Sequence, residues 1–290
     1  VEPTLRKLIV TIGEVVWDMF PDREVLGGAP VNVAYHLQGL GEPVLPVTRV
    51  GTDPLGEQTR ERLEELGLSL AGVQVDPELP TGRVLVTLEG GEPRFEIASP
   101  AAWDAIDGEE ALNAIGEVPF DLVFGTLAQR HPVSRETIAL LAGRSETCYY
   151  DVNLRPPFTV PDLVLPSLGR AQVVKMNEHE LVEIAKWEGL SPDPKEVAKG
   201  LFSRYDLKLL VVTEGAKGAW LFDGTTIHRQ PAEPVEVVDT VGAGDAFFAA
   251  LIHGLRQGLP LDEVLAAANR RGAYVASRAG ATPPLPPPGA

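Results

Sequence analysis

The chain has 290 residues, 44% of them hydrophobic, and carries 41 acidic against 25 basic residues for a formal net charge of −16. That size and apolar share fit one large or two ordinary globular domains with a substantial core. The acidity excludes a nucleic-acid or anionic-membrane surface, and with Cys148 as the single cysteine, internal disulfides and thiolate zinc clusters are excluded too.

Residues 7–13 read as an apolar opening strand. The run Gly27-Gly-Ala-Pro-Val-Asn-Val-Ala34 leads into a helix with Pro30 near its first turn, Val33, Leu37 and Leu40 on one face, and Gly41 as its stop. Residues 44–50 form the next strand, and Leu55, Thr59, Leu63 and Leu66 mark an amphipathic helix ended by Gly67. Period-2 alternation over 83–88 and 94–97, around the turn at 89–92, predicts a hairpin. With residues 14–26 it forms a small sheet that acts as a lid and excludes water from a substrate, or else it is an edge hairpin of the main sheet. A lid sheet has a second face to bury, so a homodimer through the lids is expected.

Buried strands follow at 122–125, 149–152, 173–176 and 209–213, with helical patterns between them and a further apolar strand at 219–222. This rhythm predicts an α/β fold with a mostly parallel sheet covered on both faces, and ligands at the carboxyl ends of its strands. The expected core comprises residues 1–13, 27–81 and 105–290, and the lid residues 14–26 and 82–104. Pro283 to Pro288 make an extended, non-helical end. With no apolar run of about 18 residues and no secretory pattern at the N-terminus, no membrane partner is expected and the location is cytoplasmic.

Most of the chemistry gathers in Asp239-Thr-Val-Gly-Ala-Gly-Asp245, followed at once by the apolar run 246–252. Small residues at a helix start let the amides of Gly242, Ala243 and Gly244 approach an anion, with the positive end of the helix dipole behind them. Asp245 beside them can take a proton from an attacking alcohol, so the run suits phosphoryl transfer; a turn capped by an acidic residue is the plainer alternative. No Gly-x-x-x-x-Gly-Lys-Ser/Thr loop and no protein-kinase catalytic loop occurs in the chain. Asn177 and Glu180 sit three apart at a strand-to-helix boundary, where they can organise Mg²⁺ or form a capping box, or both. Arg155, after Asp151 and Asn153, offers a guanidinium to a phosphate, to a substrate carboxylate or to a neighbouring acid. Arg94, Trp103, Gln129 and Arg130 are weaker candidates for substrate contact.

Asp239 to Asp245, Gly27 to Ala34 and Asn177-Glu-His-Glu180, in that arrangement, resemble the PfkB (ribokinase-like) family of carbohydrate and nucleoside kinases over nearly the whole chain. The wording of Gly27 to Ala34 and of Asp151-Val-Asn-Leu-Arg155 looks most like the fructokinase branch. The resemblance implies a ribokinase-like three-layer sandwich with a small β-sheet lid, and an ATP-dependent sugar kinase acting on a primary hydroxyl, fructose before ribose or 2-keto-3-deoxygluconate. It implies a hydroxyl-binding floor of Asp18, Gly28 and Asn32, with Asp245 as general base. Thr213, Gly215 and Gly218 would line the ATP phosphates and ribose, Asn269 would lie near adenine, and Asn177 and Glu180 would act on Mg²⁺ largely through water. A monovalent cation, K⁺, would sit beside Asp239 and the Val241 carbonyl, with further carbonyls from Ser277 to Ala281. Arg270 and Arg271 depart from the smaller residues expected after Asn269. A non-catalytic sugar-sensing protein is the alternative of a different class.

Overall fold

A computed structural model describes residues 6–89 and 92–285, so the end of the proline-rich tail lies outside the described residues. Thirteen strands and nine helices are assigned within it. The large sheet has nine strands in the order β13-β12-β11-β10-β9-β8-β1-β4-β5. Its centre is β1 (Leu8–Ile12), β8 (Phe120–Gly125), β9 (Cys148–Asp151), β10 (Val173–Asn177) and β11 (Leu209–Thr213). These strands pair in parallel and are buried almost throughout, as continuous apolar runs covered on both faces should be. β4 (Val44–Gly51) and β5 (Val73–Asp76) extend the parallel part beyond β1, while β12 (Ala219–Phe222) and β13 (Ile227–Gln230) close the other edge antiparallel. The order reverses at β1, flanked by β8 and β4, and a crevice opens at such a switch point at the strands' carboxyl ends.

Helices cover both faces. α1 (Ala29–Gly39), α8 (Ala243–Arg256) and α9 (Leu261–Ala276) pack on one, where Val33, Leu37, Phe248, Leu251 and Leu265 meet Ile9, Val123 and Val211. α8 is apolar on nearly every side because it lies between the sheet, α1 and α9. α3 (Gly108–Ile115), α4 (Pro132–Ala142), α5 (Pro161–Leu168), α6 (Glu178–Trp187) and α7 (Pro194–Arg204) cover the opposite face through Ile115, Ile138, Leu168, Ile184 and Leu201. α2 (Pro54–Glu65) packs Leu63 with Val50 and Val73, its start capped by the Asp53 carboxylate accepting from Gly56 N–H.

The hairpin of β6 (Arg83–Glu89) and β7 (Glu92–Ile97) does not join the large sheet. It forms a separate four-stranded sheet, in the order β3-β2-β6-β7, with β2 (Val16–Met19) and β3 (Glu24–Gly27). Val84 and Val86 are buried while Leu85 is 45% and Phe95 58% exposed, so the small sheet keeps apolar side chains in solvent. Trp103 is fully buried in the main core cluster, and its indole face carries the Arg130 guanidinium at 3.9 Å. It is a core residue and no substrate contact.

Past α9 the chain returns across α1. Tyr35 Oη donates to the Pro283 carbonyl, Tyr274 Oη to that of Pro284, and Leu285 covers Gly39. This docked return holds the segment after Ala276 against the first helix.

Candidate active site

The first turn of α8 fixes the centre of the site. Gly242 is its N-cap, with φ +76°, a left-handed conformation that a side chain disfavours. A Cβ there would also run into Ala281, 2.5 Å from its Cα. The N–H groups of Gly242, Gly244 and Asp245 have no partner among the described residues, as expected at a helix start. Ala243 differs from the sequence expectation, because its N–H turns back to the Thr240 carbonyl at 3.3 Å and is the least available of the run. The open cradle is thus made by the two glycines and Asp245.

Asp245 meets Asn32 from the other end of the chain: Asn32 Nδ2 donates to Asp245 Oδ2 at 2.8 Å. One carboxylate oxygen is held, and Oδ1 has no partner among the described residues. Burial, with the Asp151 charge adding to it, pushes the Asp245 carboxyl up to about 6, against the lowering effects of the Asn32 bond and of Lys175 and Arg155. A carboxylate poised near that value can exchange a proton at neutral pH.

Asp18, on β2, faces the same region. Its Oδ2 lies 3.4 Å from where a Cβ on Gly27 would be, and burial raises its proton affinity while Arg155 lowers it. Arg155 therefore acts electrostatically on both Asp18 and Asp245. Its guanidinium is exposed and bonds only to the Leu154 carbonyl at 3.1 Å among the described residues, so of the three partners open to it from sequence the neighbouring acid is not taken there. Asn153, at φ +38°, turns the chain between β9 and Arg155, an angle that Asn tolerates better than most residues. Gly28 is at φ +120°, and a Cβ there would collide with the Glu14 carbonyl.

A cleft of about 590 Å³ opens beside the cradle, lined by Thr213, Gly218, Val235, Gly244, Phe247 and Gly272 among others. Gly215 and Asn269 line it too. Asn269 spends its Nδ2 donor on the carbonyls of Gln230 and Pro231, at 3.2 and 3.1 Å, and so fixes the cleft wall. Arg270 is exposed, and Arg271 is buried beside Tyr35 on the far side of α9. Neither arginine lines the cleft. A second cavity of about 260 Å³ lies between β3, α1 and the 279–282 segment, lined by Leu26, Asn32 and Gly280 among others.

Asn177 and Glu180 form a capping box at the start of α6. Asn177 Oδ1 accepts from His179 and Glu180 N–H, while Glu180 Oε2 accepts from Asn177 N–H and Oε1 from Leu154 N–H. Both Glu180 oxygens are thus engaged by backbone, and no cluster of three metal-ligating side chains exists among the described residues. The donor set fits a role toward a hydrated ion through water and does not fit direct ligation. His179, between them, is exposed.

Asp239 ties two loops together: Oδ1 accepts from Val241 N–H and Oδ2 from Gly280 N–H, each at 3.0 Å. The segment from Ser277 to Ala281 is thereby held against the 239–242 turn, as carbonyls from both must be if they are to share one cation. Two of those carbonyls already have protein donors, Arg278 on Ser277 and His36 Nε2 on Ala281 at 2.9 Å.

Gln129 does not reach the site. It is 3% exposed, with its amide donating to the Gly125 carbonyl and exchanging hydrogen bonds with Ser167. Arg130 likewise is spent on Asp104, with bonds of 2.7 and 2.8 Å. The Arg94 side chain lies outside the described residues.

Two buried ionisable neighbours of the site escaped sequence reasoning. Glu14, two residues past the end of β1, is buried and has Oε2 without a partner among the described residues. Lys175 stands in the apolar run of β10 and pairs with Asp151. Its signal was a lone cation inside a buried strand.

The family model described as pfkB family carbohydrate kinase matches residues 9–288. The chain belongs to the pfkB family of carbohydrate kinases. It is a carbohydrate kinase with the α/β architecture expected from its sequence. It is 31% identical over 298 residues to a fructokinase of Klebsiella pneumoniae, covering 96% of each chain. The fructokinase of Vibrio cholerae O395, solved with fructose, ADP and calcium ion bound, superposes with a TM-score of 0.83 at 25% identity over 97% of this chain and 96% of that one. Aminoimidazole riboside kinase from Salmonella enterica, at 22% identity and a TM-score of 0.82 over 97% of each chain, shares the fold. No helix among the described residues is long and apolar enough to cross a membrane.

Proposed function

We propose that the chain phosphorylates the primary hydroxyl of free fructose, giving fructose 6-phosphate. The observation that carries the reading is the Asn32–Asp245 hydrogen bond at the open mouth of α8, beside a cleft large enough for a nucleotide. Asp18 and Asn32 bind the sugar hydroxyls over Gly28, and the free Asp245 oxygen takes the proton of the attacking hydroxyl, a role worth about 10² to 10⁴ in rate. Its oxygen attacks the γ-phosphorus in line, ADP leaves, and the amides of Gly242, Ala243 and Gly244 bind the developing charge, Ala243 once its bond to Thr240 yields. Thr213, Gly215, Gly218 and Asn269 form the nucleotide side of the site. Mg²⁺, reached through water by Asn177 and Glu180, neutralises phosphate charge when bound. A monovalent cation, K⁺, belongs beside Asp239 and the Val241 carbonyl.

The small sheet is read as a lid of residues 14–26 and 82–104 over a core of 1–13, 27–81 and 105–290. Exposed Leu85 and Phe95 support homodimerisation through it. A reaction that draws on ATP and a free sugar places the enzyme in the cytoplasm.

A second acceptor is favoured by one observation: Arg155 is exposed with no acidic partner among the described residues, so it can receive the carboxylate of 2-keto-3-deoxygluconate. ADP release with Mg²⁺ and K⁺ across fructose, ribose, 2-keto-3-deoxygluconate, tagatose and adenosine decides between them. Fructose is expected to give the highest kcat/KM. Turnover of the keto acid with none on fructose replaces the substrate, and binding of a sugar with no turnover of any acceptor returns the protein to a sensor.

A further inference from the structure

The phosphoryl transfer proposed above gives no part to Lys175, a buried cation beside the cradle. Lys175 is 7% exposed, and its ammonium is held by Asp151 at 2.9 Å (Oδ2) and 3.1 Å (Oδ1). Those are its only hydrogen bonds among the described residues, whereas an ammonium has three N–H donors. The parallel register sets Lys175 opposite Asp151, on the sheet face that α8 covers. A Cβ on Gly244 would lie 3.1 Å from Lys175 Nζ, so the ammonium rests against the first turn of α8, where the Gly242 and Gly244 amides are open.

Burying such a pair brings little net stability, because desolvation offsets most of the attraction and an apolar pair of similar size does as well or better. The pair also has acid around it, with Glu180 and Asp245 both acting on Lys175. A cation fixed beside open backbone donors is suited to an arriving polyanion.

We propose that Lys175 is a ligand of the transferring phosphoryl group. Its third N–H, with the open amides of Gly242 and Gly244, contacts the γ-phosphoryl oxygens while the bond from phosphorus to the bridging oxygen of ADP breaks and the bond to the acceptor oxygen forms. The acceptor proton goes to Asp245, and Asp151 keeps the ammonium in place. The proposal rests on the kinase reading and is independent of which sugar is the acceptor.

The test compares wild type, Lys175→Met and the double variant Lys175→Met/Asp151→Asn, which removes both charges and leaves no carboxylate stranded. Affinities for a non-hydrolysable ATP analogue and for ADP are measured by calorimetry without acceptor, and kcat with the best acceptor at saturating ATP. Both variants are expected to lose about 10² or more in kcat. They are also expected to bind the ATP analogue at least tenfold more weakly while ADP affinity changes less than threefold. Where the single variant fails to fold, the double variant carries the same readouts. Recovery of wild-type turnover in the double variant would make Lys175 a mere counter-charge for Asp151 and overturn the proposal, as would equal losses for ATP analogue and ADP. A wild type that binds the analogue more tightly than ADP but turns over no acceptor sinks the kinase reading instead.

Discussion

Asn32 and Asp245 are 213 residues apart in the chain and share a 2.8 Å hydrogen bond between Nδ2 and Oδ2. The bond fixes one oxygen of the base and, by favouring the charged carboxylate, lowers a proton affinity that burial has raised. Asn32→Ala should therefore move the acid limb of the kcat/KM profile to higher pH. The loss of activity should be larger at pH 6 than at pH 8. An equal loss at both values would mean that Asn32 serves only to bind substrate.

The wild-type profile has a sign fixed by the same carboxyl. Asp245 must be unprotonated to accept the hydroxyl proton, and its carboxyl stands at about 6. Activity should fall as pH drops through that value in free enzyme. Asp245→Asn should remove about 10² to 10⁴ of kcat and leave nucleotide affinity within a few-fold. Near wild-type turnover in that variant overturns the assignment of the base.

Glu14 makes a separate prediction about stability. Burial pushes its carboxyl from 4.5 up to about 7, so in that window the folded chain keeps a proton that the unfolded chain has released. Stability from this group is present below the unfolded value and is lost as pH rises through the folded one. Glu14→Gln removes the titrating carboxyl at nearly constant volume and should flatten the thermal-melt profile between pH 4.5 and 7. At pH 7.5 it should raise stability by about 1–3 kcal/mol.

Gly242 and Gly244 should respond differently to the same methyl group. Gly242→Ala combines a left-handed φ with a collision against Ala281, and should cost about 1–3 kcal/mol and most of the turnover. Gly244→Ala meets only the Lys175 ammonium, 3.1 Å away, and no backbone, so its fold should survive while kcat falls. Melting temperatures and steady-state rates of the two variants separate the effects.

The cleft at Ala273 offers a test of which substrate it holds. Ala273→Phe should raise the KM for ATP tenfold or more and leave the KM of the sugar nearly unchanged, since the side chain lines the cleft beside Gly272. Equal effects on both would place the sugar there.

Local chemistry wrote much of this protein into its sequence. Buried strands such as β8 and β11 are short, mainly apolar runs, and small residues before an apolar helix at Gly242 to Asp245 suit an anion cradle. The small sheet was legible from the period-2 alternation of β6 and β7. Partner choice was not, because a side chain's bonds depend on groups far away in the chain. Gln129 and Arg130 read from sequence as the end of a strand, but β8 stops at Gly125, they lie in the short 3-10 turn after it, and Ser167 and Asp104 claim them. Lys175 reads as one odd cation in an apolar strand until the parallel register sets it across from Asp151 and α8 comes down on it. Sequence alone determined which residues could do chemistry, through their types and the periodicity around them. Tertiary structure alone decided which of them meet, because strand register and helix packing bring together groups that the chain keeps hundreds of residues apart.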